Sequence, residues 1–400
     1  MAQSAISLPQ RVTAVPSATT KVLCRAILTK TEGLPIYFKV DPLLTQHYRA
    51  IFTENTMKSS FSSTLRVIAV ALIGVASLAV MVGCGVAPAG PVPTAENGAT
   101  YSPLGVAFNP TTNLYYVANG ATKSVSVYDG SSNSLKGTIA TGTDPMAVAI
   151  NATTNTIYVT NYSDGTLTVI NGATNAVTAT VSNIGDSPYA IAVDPITNRV
   201  YVADWLSQPT NNLYVLDGTK NSVITGLQVG GGEYVGGLAV NTVTNTIYAS
   251  TFGGLFVVNG STNTVTTSLG DGITGTEESP YAAHGVAVDE TTNTVYASFA
   301  QYGPSEIAVV NGATNAVIGT IPMSSEPSSI AVDTLTHVVY VVLPDTATIS
   351  VINGSTMAVS GSLTISGNPT SLALNPTARL VYVQAYQPTA ALTAVSAVQM

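Results

Sequence analysis

The side chains best suited to chemistry in this 400-residue chain are few and widely spaced. Its three histidines are His47, His284 and His337. His284 has Glu277, Glu278 and Asp289 near it in sequence, a set able to pair an acid with a base or to ligate a metal. No second histidine or cysteine stands beside it to complete a cluster, so neither metal nor cofactor is expected, and catalysis is the lesser alternative. Gly-x-Ser-x-Gly, Cys-x-x-Cys and P-loop patterns are all missing. Gly230-Gly231-Gly232 fails the dinucleotide spacing because Val235 stands where the last glycine belongs, and it reads as a flexible loop.

A second group of residues suits recognition. Asp204, Trp205, Glu233, Tyr234, Phe252, Tyr281, His284, Phe299, Tyr302 and Tyr386 all fall where the chain varies in length or composition between otherwise regular segments. Rings beside carboxylates and amides suit stacking on sugars or docking a protein segment, although an acidic aromatic surface also serves plain solubility. Trp205, the only tryptophan, is either a partner anchor or a local packing plug.

The elements that position these residues are written in an internal repeat. Tyr116, Tyr158, Tyr201, Tyr248, Tyr296, Tyr340 and Tyr382 recur at spacings of 42, 43, 47, 48, 44 and 42 residues. Each copy reads as four strands. A short apolar one such as Ala190-Ile191-Ala192-Val193 comes first, then a tyrosine strand with period-two apolar partners such as Ile157 and Val159. A third strand ends in Asp-Gly or Asn-Gly, read as a tight hairpin turn, and a Thr-rich outer strand follows. Asn109, Asn151, Asp194, Asn241, Asp289, Asp333 and Asn375 open the first turn of each copy, and recurrence in every copy marks them and the tyrosines as structural.

A period near 43 with four strands signals a propeller blade. The expected fold is all-β, a seven-bladed β-propeller of four-stranded antiparallel blades over residues 103–400, preceded by an apolar signal or anchor segment. The seventh copy has no Asp/Asn-Gly turn and no fourth strand. The Pro/Ala-rich linker 85–102 is a source for the closing strand, around Val92–Ala95.

Tyr158-Val159-Thr160-Asn161 spells the YVTN motif, with Tyr116-Val117-Ala118-Asn119 and Tyr201-Val202-Ala203-Asp204 close to it. Residues 103–400 thus resemble the YVTN-repeat β-propeller family, which includes archaeal surface-layer and bacterial periplasmic propellers. The later copies drift, as in Tyr248-Ala249-Ser250-Thr251 and Tyr382-Val383-Gln384-Ala385. The resemblance implies the fold and no single activity.

The N-terminus points to export. After Met57-Lys58 and Arg66 comes the apolar run Val67–Gly83, and Met81-Val82-Gly83-Cys84 resembles the lipobox of bacterial lipoproteins, with Met81 where leucine is usual. Residues 57–84 are therefore expected to be a signal peptide, and the resemblance implies lipidation of Cys84. An uncleaved anchor helix is the alternative. Residues 1–56 have no repeat and read as an unstructured or mis-started extension. Residues 1–84 hold eight of the thirteen Lys/Arg and three of the twenty-one acids. The remainder, with five basic and eighteen acidic side chains, carries −13 and should repel nucleic acid and anionic membrane surfaces.

The function expected from these features is binding. The chain reads as an exported, lipid-anchored and monomeric propeller that engages a protein or polysaccharide at the bacterial cell envelope, in the periplasm or at the surface. A lactonase-like or lyase-like propeller enzyme and a structural surface-layer component are the alternatives.

Overall fold

A computed structural model describes residues 105–205, 211–232, 234–251, 254–269, 285–299, 305–387 and 392–399. These form strands and short turns, and among them no helix is long and apolar enough to cross a membrane. Residues 1–104 lie outside this range, and with them the expected signal segment, Cys84 and the proposed closing strand.

Among the described residues the strands form six four-stranded blades, not the seven expected, and one three-stranded sheet. Blade 2 is typical, with strands Pro145–Asn151, Thr156–Asn161, Thr166–Asn171 and Ala176–Val181 paired antiparallel in sequence order. Blade 1 begins at Val106–Asn109, blade 3 at Pro188–Asp194, blade 4 at Val235–Asn241, blade 5 at Val286–Asp289 and blade 6 at Ile330–Asp333. The seventh sheet holds Asn368–Asn375, Leu380–Gln387 and Leu392–Gln399. The shortfall follows from the sequence, since the seventh copy has no Asx-Gly turn to send the chain back as a fourth strand.

The seven first strands touch in succession, and that of the seventh sheet touches that of blade 1, so the ring closes. Alternation along the second and third strands turns apolar side chains toward both neighbours. The core is correspondingly split into seven layers, one at each junction. Between blades 1 and 2, for example, Tyr116, Val125 and Val127 pack on Val148, Ile157 and Val159. The repeated tyrosines sit in these layers and reach across them. The hydroxyl of Tyr158 donates to Gly218 O in blade 3, Tyr296 to Gly354 O in blade 6, and Tyr382 to Gly130 O in blade 1.

At several junctions the first turn of one blade is bonded to that of the next. Asn109 Nδ2 donates to Asn155 Oδ1 at 2.7 Å, and Asn151 to Asn198 and Asn241 to Asn293 at 2.8 Å. In the turn itself, Asn151 Oδ1 accepts the amides of Thr153 and Thr154, and Asn155 takes a left-handed φ of 51° that asparagine tolerates.

The turns into the fourth strands are hairpin turns as expected, but the Asx-Gly dipeptide does not supply the positive φ. Asn171 pairs with Ala176, leaving a four-residue loop in which Asn175, not Gly172, has positive φ. Glycine is needed at 172 because its amide donates to Asn155 O at 2.8 Å, and an added Cβ would lie 2.2 Å from Asn155 Oδ1. The two turns of a blade therefore press on one another, which fixes glycine by contact rather than by backbone conformation.

Candidate functional site

The turns just described occupy one rim of the ring. The second-to-third turns and the blade-to-blade loops occupy the other, the loop rim, where the insertions lie. Here the last residue of the YVTN motif has a clear task. Asn161 Oδ1 accepts the amide of Gly142 at 3.2 Å while its Nδ2 donates to Thr166 and Thr168, fastening the loop from blade 1 to the strands of blade 2. Asp204 does the same in blade 3, accepting the amides of Asp186 at 3.1 Å and Ser187 at 2.8 Å. Expected at the binding surface, its carboxylate is wholly buried and holds the loop beneath that surface.

On these fastened loops stands a row of four rings. Tyr162 meets Tyr189 edge-on at 6.5 Å between centroids, Tyr189 lies 4.5 Å from Trp205, and Trp205 lies 5.2 Å from Tyr234. All four are half-buried, and they come from blade 2, blade 3 and the loop into blade 4. Burial and the neighbouring Tyr162 push the Tyr189 hydroxyl well above the usual tyrosine range, so it stays protonated as a neutral donor. Trp205 and Tyr234 are legible as candidates from sequence. Tyr162 and Tyr189, the other half of the row, are not.

Tyr189 also lines a cavity of about 200 Å³ on the ring axis, walled by the beginnings of all seven first strands. Small residues keep it open, among them Gly105, Ala147, Gly237 and Ser328. Gly105 permits the approach of the neighbouring blade, since a Cβ there would stand 2.7 Å from Ala147 Cα. Ser328 Oγ is shut off from solvent and has no hydrogen-bond partner among the described residues. The Gly230–Gly232 segment, expected as a flexible loop, is a single tight turn with left-handed Gly230 and Gly231.

No family model matches the chain, and no curated protein matches it. Among solved structures it is similar to hydrazine synthase of Kuenenia stuttgartiensis, with a TM-score of 0.64 over 76% of this chain and 99% of that one. Their sequences are 13% identical, so the likeness shows the fold, a β-propeller, and nothing of the activity.

Charge is divided unequally between the rims. On the turn rim Lys136 pairs with Asp129, Lys220 with Asp217 and His337 with Asp289. The loop rim carries Asp144, Asp164, Glu306, Glu326 and Asp345, and among the described residues none of these five is in an ion pair. Lys123, at the end of a turn in blade 1, is the basic residue on this side among the described residues. Burial and the nearby Asp345 raise the Glu326 carboxyl above its ordinary range.

The remaining sequence candidates scatter. Phe299 ends the second strand of blade 5, and Tyr386 pairs in register with Asn368 in the seventh sheet. Glu233, Phe252, Tyr281, His284 and Tyr302 lie outside the described residues, as do Glu277 and Glu278. Asp289, grouped with His284 by sequence, is on the opposite rim, where it bonds His337. That hydrogen bond takes Asp289 out of the acid/base set considered from the sequence.

Proposed function

We propose that the chain is an exported, lipid-anchored β-propeller that serves as a binding module for a protein or polysaccharide at the cell envelope. The observation that carries this reading is the four-ring row from Tyr162 to Tyr234, which crosses three blades on the insertion-bearing rim and reaches the mouth of the axial cavity. Half-buried rings on a rigid scaffold offer large contact area at small entropic cost. The anchor rests on Cys84 and its lipobox-like setting.

Two measurements test it. Affinity capture from envelope fractions with the full chain and with Trp205→Ala should recover a protein or glycan that the variant loses, while thermal unfolding of the two stays similar. Unfolding of the variant with capture untouched would make Trp205 a plug between Tyr189 and Tyr234 and remove it from the site. Mass spectrometry of the native protein should find an acylated Cys84 at the mature N-terminus, and a mature chain retaining Val67–Gly83 would overturn the anchor.

A further inference from the structure

The loop rim joins three features. The ring row runs through Tyr189, and Tyr189 is also a wall of the axial cavity. At about 200 Å³ that cavity is below the ~300–1,000 Å³ of pockets that enclose whole drug-sized ligands, so it suits one inserted side chain. Ser328 belongs to the cavity wall, with its hydroxyl oxygen shut off from the open space, so the group that an inserted side chain meets there is the Tyr189 ring.

The surroundings select the sign of that side chain. Asp129, Asp217 and Asp289 of the turn rim have basic partners in the same chain, and that rim also carries Arg199 and Arg379. By contrast, Asp144, Asp164, Glu306, Glu326 and Asp345 of the loop rim are in no ion pair among the described residues, where Lys123 is the basic residue on their side. Burial first, and the Asp345 charge second, disfavour ionisation of Glu326, and a cation would offset the second of these. A guanidinium also stacks on aromatic faces, which an ammonium does less well.

We propose that the loop rim docks a basic polypeptide segment that crosses the ring from the ring row of blades 2 and 3 toward the carboxylates of blades 5 and 6, with an arginine side chain entering the axial cavity beside Tyr189. This rests on the reading of the loop rim as a binding surface and names the partner's chemistry. The segment lies along the ring row, and the rim carboxylates draw it in and set its register.

The test titrates the full chain with a fluorescent oligo-arginine peptide, with oligo-glutamate and a neutral chitin oligosaccharide in parallel. Oligo-arginine should bind, and the triple variant Asp164→Asn/Glu326→Gln/Asp345→Asn should weaken it about tenfold by removing three rim charges. The turn-rim variant Asp217→Asn should leave it unchanged. The substitutions are near-isosteric, and Asp164→Asn keeps a side-chain oxygen for the Thr143 amide that Asp164 accepts at 2.5 Å. Equal weakening by the two rims' variants would overturn the proposal. Chitin binding that needs Trp205, without arginine binding, would overturn the basic-segment proposal while leaving the binding-rim reading intact. Binding that survives both the triple variant and Trp205→Ala would overturn both.

Discussion

Asp289 Oδ2 lies 2.7 Å from His337 Nδ1 across the junction of blades 5 and 6, where three other junctions carry a pair of asparagines. The replacement is paired, with acid on one side and imidazole on the other, so the contact between turns is kept although its chemistry changes. Burial opposes ionisation of Asp289, but hydrogen bonds from Thr291 and His337 outweigh it and hold the carboxyl below the usual carboxylate range.

A pH dependence follows with a definite sign. A carboxylate whose folded pKa is depressed contributes stability above its unfolded value near ~4, and that contribution is lost as pH falls through the folded value. Asp289→Asn should therefore lower Tm at pH 6, and the gap to wild type should close as the pH is taken below about 4. A gap independent of pH would show that the charge contributes nothing.

The inter-blade tyrosines should be costly to remove. Tyr158 is almost fully buried, and its truncation to alanine leaves a cavity between blades 2 and 3, so a loss of about 3–5 kcal/mol is expected by urea unfolding. Tyr158→Phe removes only a long 3.4 Å hydrogen bond to Gly218 O and should cost about 1 kcal/mol or less. Similar losses for both variants would place the energy in the hydroxyl instead.

Contact between turns can be tested at Gly172. Alanine there meets Asn155 Oδ1 and should cost about 1–3 kcal/mol through overpacking. Gly137→Ala, in an outer strand with open space around the new methyl, is the control and should be near neutral in the same thermal-unfolding series.

Much of this fold is legible in the sequence because the repeat states the same local solution seven times. A period of two in the tyrosine strand, an Asx residue at the turn and a small residue near the axis each have one physical reading. The four-strand count fails for the last sheet, whose sequence lacks the turn chemistry that the other copies share. Half of the ring row is hidden for a related reason. Tyr189 holds a first-strand position filled by Met146 and Gly236 in neighbouring blades, with no residue type shared, and Tyr162 directly follows the YVTN motif, so the repeat pattern singles out neither. Asp204 misleads in the opposite sense, because sequence proximity to Trp205 says nothing of which way a carboxylate points.

The bond from Tyr382 to Gly130 joins residues 252 positions apart, and the buried Gln384 Nε2 reaches Ala118 O across the same junction. An open solenoid can nucleate anywhere and fray from either end. Here the last seam forms only after a very long loop has closed, a step whose entropic cost falls on the folding rate. Once made, it leaves no terminal repeat from which unzipping could start, so resistance to unfolding is set by how rarely a single seam parts.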